Sequence, residues 1–199
     1  MKKLGATLAL ALVVAAACGG GAAEIEDVYA EHGMVAAAHE LAAKAGVEIL
    51  QKGGNAIDAA VATALALNVV EFNASGIGGG GFMTFYSEKT KDVICLDYRE
   101  QAPASATKDM FASERAKKEK WSAYGGKSVG VPGWLKGMTY ALENYGTMTF
   151  AQVAEPAVRL AEEGFVTDPA QKGFIQDHFE TLNQFNEPGT LPFFDEVGL

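Results

Sequence analysis

The sequence predicts an α+β domain, and three observations predict it. Helical stripes of apolar residues lie on both sides of one β-rich stretch, a polar turn splits that stretch into two short strands, and clustered glycines punctuate the joins. The 199 residues are 49% hydrophobic, 21% charged and 10% aromatic, which is the make-up of a folded chain rather than a disordered one. Sixteen Lys and Arg against 25 Asp and Glu leave a formal charge of -9. No stretch concentrates enough base to neutralise a phosphate backbone, so nucleic acid is excluded as a partner. With Cys18 and Cys95 as its only cysteines the chain is no disulfide framework.

Met1-Lys2-Lys3 and the apolar run Leu4 to Ala17 have the form of a secretory signal, too short for a spanning helix of about 20 apolar residues. Ala15-Ala16-Ala17-Cys18 followed by glycines resembles a bacterial lipoprotein box, in which the cysteine is lipidated. Residues 1–17 are therefore expected to be a signal peptide of lipoprotein type and residues 18–33, rich in Gly, Ala and acid, a flexible tether. Residues 34–199 are expected to form the domain. The predicted location is outside the cytoplasm, in the periplasm or on the outer cell surface, with Cys18 as a lipid anchor to the membrane. Cys95 is then alone, and a buried thiol behaving as a small hydrophobe is its expected role.

Along the domain, Leu41, Ala45 and Ile49 recur at helical spacing between His39 and Lys52, closed by Gly53-Gly54. Asn55 with Asp58 opens a second helix in capping-box style, and Ala56 to Val70 is apolar almost all round, so it must be buried on most sides. Phe82 to Tyr86 and Val93 to Tyr98 read as two strands of an antiparallel hairpin. Alternation puts Ile94, Leu96 and Tyr98 on one face and Cys95, Asp97 and Arg99 on the other. Lys108 to Lys120 is highly charged and reads as a solvated loop or helix, and Leu135 to Tyr145 as a helix. Thr149 with Gln152 is another capping box, but Pro156 predicts a kink or break, with a second piece ending at Gly164. Asp168-Pro169-Ala170-Gln171 starts a further helix, in which Phe174, Ile175, Phe179, Leu182 and Phe185 are expected to form a core stripe. The tail Asn186 to Leu199 ends without a capped element, as expected of a chain that stops in mid-fold.

Several motifs carry chemistry elsewhere. Gly126-Lys127-Ser128-Val129-Gly130 spells the G-x-S-x-G of a hydrolase elbow, but Pro132-Gly133 follows where a helix is required, so a surface loop is expected. The same Gly-Lys-Ser lacks the upstream glycine of a phosphate loop, since Trp121 stands there. His32, His39 and His178 show no ligand spacing, so no metal is predicted, and no cofactor. Gly78 to Gly81 either forms a nest of amides for an anion or allows a turn to pack closely on a helix. Arg99, at a strand end, either pairs with Asp97 or Glu100 or presents its planar fork to a ligand carboxylate.

Longer motifs resemble one family. Lys52-Gly53-Gly54-Asn55-Ala56-Ile57-Asp58-Ala59-Ala60-Val61-Ala62, Ser75-Gly76-Ile77-Gly78-Gly79-Gly80-Gly81-Phe82-Met83, Tyr98-Arg99-Glu100-Gln101-Ala102-Pro103-Ala104 and Ser128-Val129-Gly130-Val131-Pro132-Gly133 follow in the order found near the start of γ-glutamyltranspeptidases, also called glutathione hydrolases. The resemblance runs from about Gly33 to Asp168 and fades beyond. It implies part of an N-terminal-nucleophile hydrolase fold, an αββα sandwich, made as a self-cleaving precursor. The small subunit's new terminal threonine would form an acyl-enzyme with the γ-glutamyl group of glutathione or a related small molecule and pass it to water or an amino acid. By position Arg99 is the residue that binds the substrate α-carboxylate. The nucleophile's Thr-Thr-His signature is absent, since none of the threonines is followed by Thr-His, so this chain is expected to carry no catalytic nucleophile of its own and to need a C-terminal segment. Two alternatives stay open: a non-catalytic exported lipoprotein remnant or binding module, and a related amidase of the cephalosporin acylase or poly-γ-glutamate-processing kind.

Overall fold

The computed structural model describes residues 29–185. The expected signal segment, Cys18 and most of the tether, together with the tail beyond Phe185, lie outside the described residues. The chain divides into two units, 1–32 and 33–199; of the first, the described residues Tyr29 to His32 are all exposed. In the second unit the described elements are α1 (Glu40–Gln51), α2 (Ala56–Val70), β1 (Phe82–Ser87), β2 (Asp92–Asp97), α3 (Glu114–Lys118), α4 (Trp134–Tyr145), α5 (Phe150–Glu163), α6 (Pro169–Asp177) and α7 (Phe179–Phe185). Among the described residues no helix is long and apolar enough to cross a membrane.

The helices α1 and α2 pack through small side chains. Ala42, Ala45 and Gly46 line the buried face of α1, and a β-carbon at Gly46 would collide with the Thr63 hydroxyl of α2. The His39 ring Nδ1 accepts from the Leu41 amide at 3.1 Å to start α1. Gly53 at φ +89 ends it, in a region that costs a β-carbon-bearing residue energy. α2 is the apolar cylinder the sequence predicts, packed against α1, α4 and α5. Ile49, Val61, Met138, Leu142 and Val153 meet around it, and each such burial contributes about 1.5–3 kcal/mol.

One carboxylate ties the start of α2 to the α4–α5 turn. Asp58 is fully buried and accepts from the Asn55 amide (2.8 Å), the Thr147 amide (3.0 and 3.1 Å), the Thr147 hydroxyl (2.6 Å) and the Met148 amide (3.2 Å). The Asn55 side chain returns the link, accepting from Ile57 and Asp58 amides and donating to the Tyr145 carbonyl at 2.7 Å. The predicted capping box is thus present, and its acid also serves a turn some 90 residues on.

The hairpin pairs Met83 with Leu96, Thr84 with Cys95 and Phe85 with Ile94. Met83, Phe85, Leu96 and Tyr98 pack on the core cluster, whereas Phe82, Tyr86 and Val93 on the other face are exposed. Cys95 lies on that open face and is exposed, which corrects the expectation of a buried thiol. Helices cover one side of the two strands, so alternation leaves every second residue uncovered.

Two helical expectations are also corrected. No break occurs at Pro156: α5 runs through it as one helix. The missing N–H forfeits the bond to the Gln152 carbonyl, but the ring is fully buried beside Val153 and Ala157, and that packing offsets a penalty of about 3 kcal/mol. The expected aromatic stripe is divided instead between α6 and α7, which meet at His178. Ile175 is buried, Phe174 stacks on the His178 ring at 4.2 Å, and Phe179 is exposed, so the stripe is no continuous core. The start of α6 behaves as predicted, with Asp168 and Gln171 capping each other, and the buried Gln171 side chain also donates to the Val70 carbonyl.

On the surface, Glu48 and Lys52 of the α1 end face Glu155 and Arg159 of α5 in a closed set of four ion pairs. Lys52 lies 2.7 Å from Glu48 and 3.3 Å from Glu155, and Arg159 2.7 Å from Glu48 and against Glu155. The Lys52 hydrogen bond first, and Arg159 second, hold the Glu48 carboxyl below its ordinary value of 4.5. A folded-state pKa below the unfolded one stabilises the fold at pH above the unfolded value, and the contribution is lost as pH falls through the folded value. The loss of melting temperature between about pH 5 and 3 is therefore expected to be shallower in Glu48→Gln than in the parent, and the difference to shrink in high salt; parallel thermal melts across pH check this. Asp58→Ala leaves several half-buried donors without their acceptor, and a loss of about 1–3 kcal/mol is expected in denaturant titrations.

Candidate functional site

After β2 the chain runs on as Tyr98-Arg99-Glu100-Gln101 between two glycine-bearing segments. On one side Tyr98 continues the hairpin ladder, donating to the Gly81 carbonyl at 3.0 Å. On the other, Gln101 and Val131 exchange backbone bonds at 3.2 and 2.8 Å. A β-carbon at Gly80 would fall 2.5 Å from the Tyr98 carbonyl oxygen, and one at Gly130 would fall 2.9 Å from Glu100 Cβ. Gly133 abuts the Tyr98 carbonyl and Gly137 the Tyr98 ring, and neither has room for a β-carbon. Within the Gly78 to Gly81 run, Gly80 packs on the Tyr98 and Arg99 backbone and Gly81 on the Tyr98 ring, the close packing that one of its two sequence readings expects, while Gly78 faces open space. The Gly79 carbonyl accepts from the Gly133 and Trp134 amides at 3.2 and 3.0 Å, which serves the start of α4 where no side chain caps it.

Arg99 emerges from this clamp with its side chain 56% exposed. Its guanidinium Nη2 lies 3.3 Å from the Glu100 carboxylate, while Asp97 accepts from its backbone amide at 3.0 Å. Of the two acidic partners the sequence offers, Glu100 takes the charge and Asp97 the main chain. An exposed pair of this kind contributes about 0–1 kcal/mol, so a ligand carboxylate can displace it at little cost. The remaining guanidinium donors have no acceptor among the described residues.

Arg99 lines an open cleft of about 480 Å³ together with Asp97, Gln101, Lys136 and Tyr140, with Tyr98 and Gly137 behind them. That volume lies within the about 300–1,000 Å³ of small-molecule sites. Burial raises the Tyr98 phenol above its ordinary value, so it stays neutral, and its hydroxyl donates to the Phe82 carbonyl at 3.1 Å. Reading the sequence marked Arg99 and missed Lys136 and Tyr140. Their only signal was the spacing from Gly133 and Gly137, which has no meaning until those glycines are seen against Tyr98.

The other sequence candidates lie apart from this cleft. Ser128 sits in a turn and donates to the Gly125 carbonyl at 2.8 Å, so Gly126 to Gly130 is the surface loop expected and not an elbow. A second cleft of about 750 Å³ is lined by Trp121 and Lys127, whose ammonium lies 3.4 Å over the indole ring. The short α3, within the charged Lys108 to Lys120 segment, carries Arg115, which pairs with Glu119 at 2.9 Å. His39 caps α1, and His178 joins α6 to α7. Among the described residues no three His, Cys, Asp or Glu side chains gather as metal ligands.

Residues 42–197 match the pattern of the family described as gamma-glutamyltranspeptidase. The chain belongs to the γ-glutamyltranspeptidase family. The match continues well past Asp168, where the motif resemblance fades. The glutathione hydrolase proenzyme of Bacillus subtilis is 51% identical over 154 residues, which cover 76% of this chain and 26% of that protein. The crystal structure of Helicobacter pylori γ-glutamyltranspeptidase superimposes with a TM-score of 0.76 at 37% identity, covering 81% of this chain and 46% of that one. The cephalosporin acylase of Bacillus halodurans does so with 0.72 at 34%, covering 83% and 30%. The chain thus spans about a quarter of the length of the curated relative it matches. Its α+β architecture is part of the N-terminal-nucleophile hydrolase fold of these neighbours, of which the described residues hold one hairpin and its helical cover.

The glycine clamp makes a direct prediction. Gly80→Ala and Gly133→Ala each force a β-carbon into the Tyr98 backbone and are expected to destabilise by about 1–3 kcal/mol. Gly76→Ala, with nothing within 4 Å of the new carbon, is expected to stay within about 0.5 kcal/mol of the parent in the same denaturant titration.

Proposed function

We propose that the full-length protein transfers the γ-glutamyl group of glutathione and related γ-glutamyl amides to water or an amino acid, with Arg99 holding the substrate α-carboxylate. A threonine hydroxyl attacks the γ-amide carbonyl, the amine leaves with the transferred proton, and the resulting ester is then opened by water or an amino-acid amine. One nucleophile with its own α-amine as base serves both steps. No Thr-Thr-His occurs in these 199 residues, so on this reading the nucleophile is supplied by sequence outside them.

The observation that carries the reading is a half-exposed arginine with spare donors at the wall of a small-molecule cleft, in a chain whose relatives are named glutathione hydrolases. A guanidinium fork matches a carboxylate bidentately, and each charge-assisted bond contributes about 1.5–3 kcal/mol. Glu100 holds the fork in place until substrate arrives. Kinship with a cephalosporin acylase supports a second reading, an amidase acting on other acyl groups.

In the full-length protein, Arg99→Lys is expected to raise the KM for glutathione about ten- to a hundredfold, because a point charge does not reproduce the fork. Its melting temperature is expected to stay close to the parent's, as an exposed pair contributes little to folding. Steady-state kinetics check this. Unchanged kcat/KM would refute the role of Arg99, and hydrolysis of cephalosporin amides without glutathione turnover would favour the amidase.

A further inference from the structure

We propose that Lys136 is a second carboxylate-binding residue of the Arg99 cleft, holding the C-terminal carboxylate of a γ-glutamyl peptide whose α-carboxylate Arg99 holds. This inference rests on the function proposed above and narrows it to γ-glutamyl peptides with a free C-terminus.

The placement of Lys136 follows from the same packing that fixes Arg99. Gly133 and Gly137 press on Tyr98, and Lys136 lies between them on α4, so the register that lets the helix approach β2 also delivers this side chain to the cleft wall. The cleft then carries two cations. The one carboxylate that lines it, Asp97, already accepts the Arg99 amide.

Lys136, like Lys89, Lys108, Lys118, Lys120 and Lys172, has no carboxylate partner among the described residues, but of these it alone lines the Arg99 cleft. Lys44, Lys52, Lys91 and Lys117 each pair with a carboxylate, but Lys136 forms no ion pair among the described residues, although Glu143 borders an adjoining groove with it. Its position is unfavourable for the helix. It is the third residue of α4, where the macrodipole is positive and the first turn carries no acid and no side-chain cap. A cation there opposes the dipole but adds to it as an attractor of anions. A ligand carboxylate would satisfy both.

The two cations differ in the way their tasks require. Arg99 presents a rigid fork suited to the invariant glutamyl end, whereas a lysine ammonium on its flexible stem tolerates the varied position of a peptide terminus. Substrates with one carboxylate engage Arg99 alone; glutathione engages both.

The test compares glutathione with its glycine ethyl ester, which lacks only the second carboxylate, in the full-length protein. In Lys136→Ala the KM for glutathione is expected to rise about tenfold more than the KM for the ester, with kcat nearly constant, and Lys136→Arg is expected to recover most of the loss. Lys136→Gln, which keeps the stem, serves if the alanine variant folds poorly. Equal shifts for the two substrates, or none, would overturn the role of Lys136. Arg99→Ala separates the two levels. If it weakens both substrates while Lys136 variants do not distinguish them, the γ-glutamyl reading stands and this inference alone falls. If it affects neither, or neither substrate is turned over, both fall.

Discussion

There is no room for a β-carbon at Gly80, Gly133 or Gly137, because the Tyr98 carbonyl and ring already fill that space. This backbone-on-backbone contact is the constraint from which the rest of the cleft follows. It sets the glycine run, the end of β2 and the start of α4 at a fixed separation, and three segments that are distant in sequence then share one wall. The segment between them has little freedom, so the side chain of Arg99 begins from a defined point even though its tip is solvated. A fixed base leaves only the side chain of the arginine to be ordered on contact with a ligand.

The clamp is held from beneath by Asp58. Its carboxylate gathers the α4–α5 turn onto the start of α2, which fixes the C-terminal end of α4 while Gly133 and Gly137 fix its first half. α4 is thus pinned at both ends. Electrostatics then follow from geometry. In a chain of net charge -9, Arg99 and Lys136 line one cleft with Asp97, and Glu100 lies against the Arg99 guanidinium, so cations and carboxylates are balanced there. The open outer face of the hairpin, with Phe82, Tyr86 and Val93 exposed, belongs to the same two strands whose inner face builds the core.

Much of this was legible in the sequence. The starts of α2, α5 and α6 were readable because a capping side chain acts within three residues, α1 because its apolar residues recur at helical spacing, and the hairpin because alternation is local. Pro156 misled because its cost is local while its compensation, burial against neighbouring helices, is not. Cys95 misled because composition says that cysteines prefer the interior, but only the covering of the sheet says which strand face is interior. The aromatic run after Asp168 misled because a helical period survives a break at His178 that no Gly or Pro announces. In the site, Arg99 was found through a motif, and Lys136 and Tyr140 were not, since their meaning depends on which helix face meets Tyr98.

By itself the sequence determined the α+β class, the caps, the strand alternation and the family, because each of these depends on residues close together in the chain or on long motifs in order. Tertiary structure alone decided that Glu100 and not Asp97 pairs with the Arg99 guanidinium, that Gly80 packs on the Tyr98 backbone, and that Lys136 shares the cleft. The first depends on how the backbone turns after β2, and the other two on contacts between segments far apart in the chain, which are set by steric fit that no local pattern encodes.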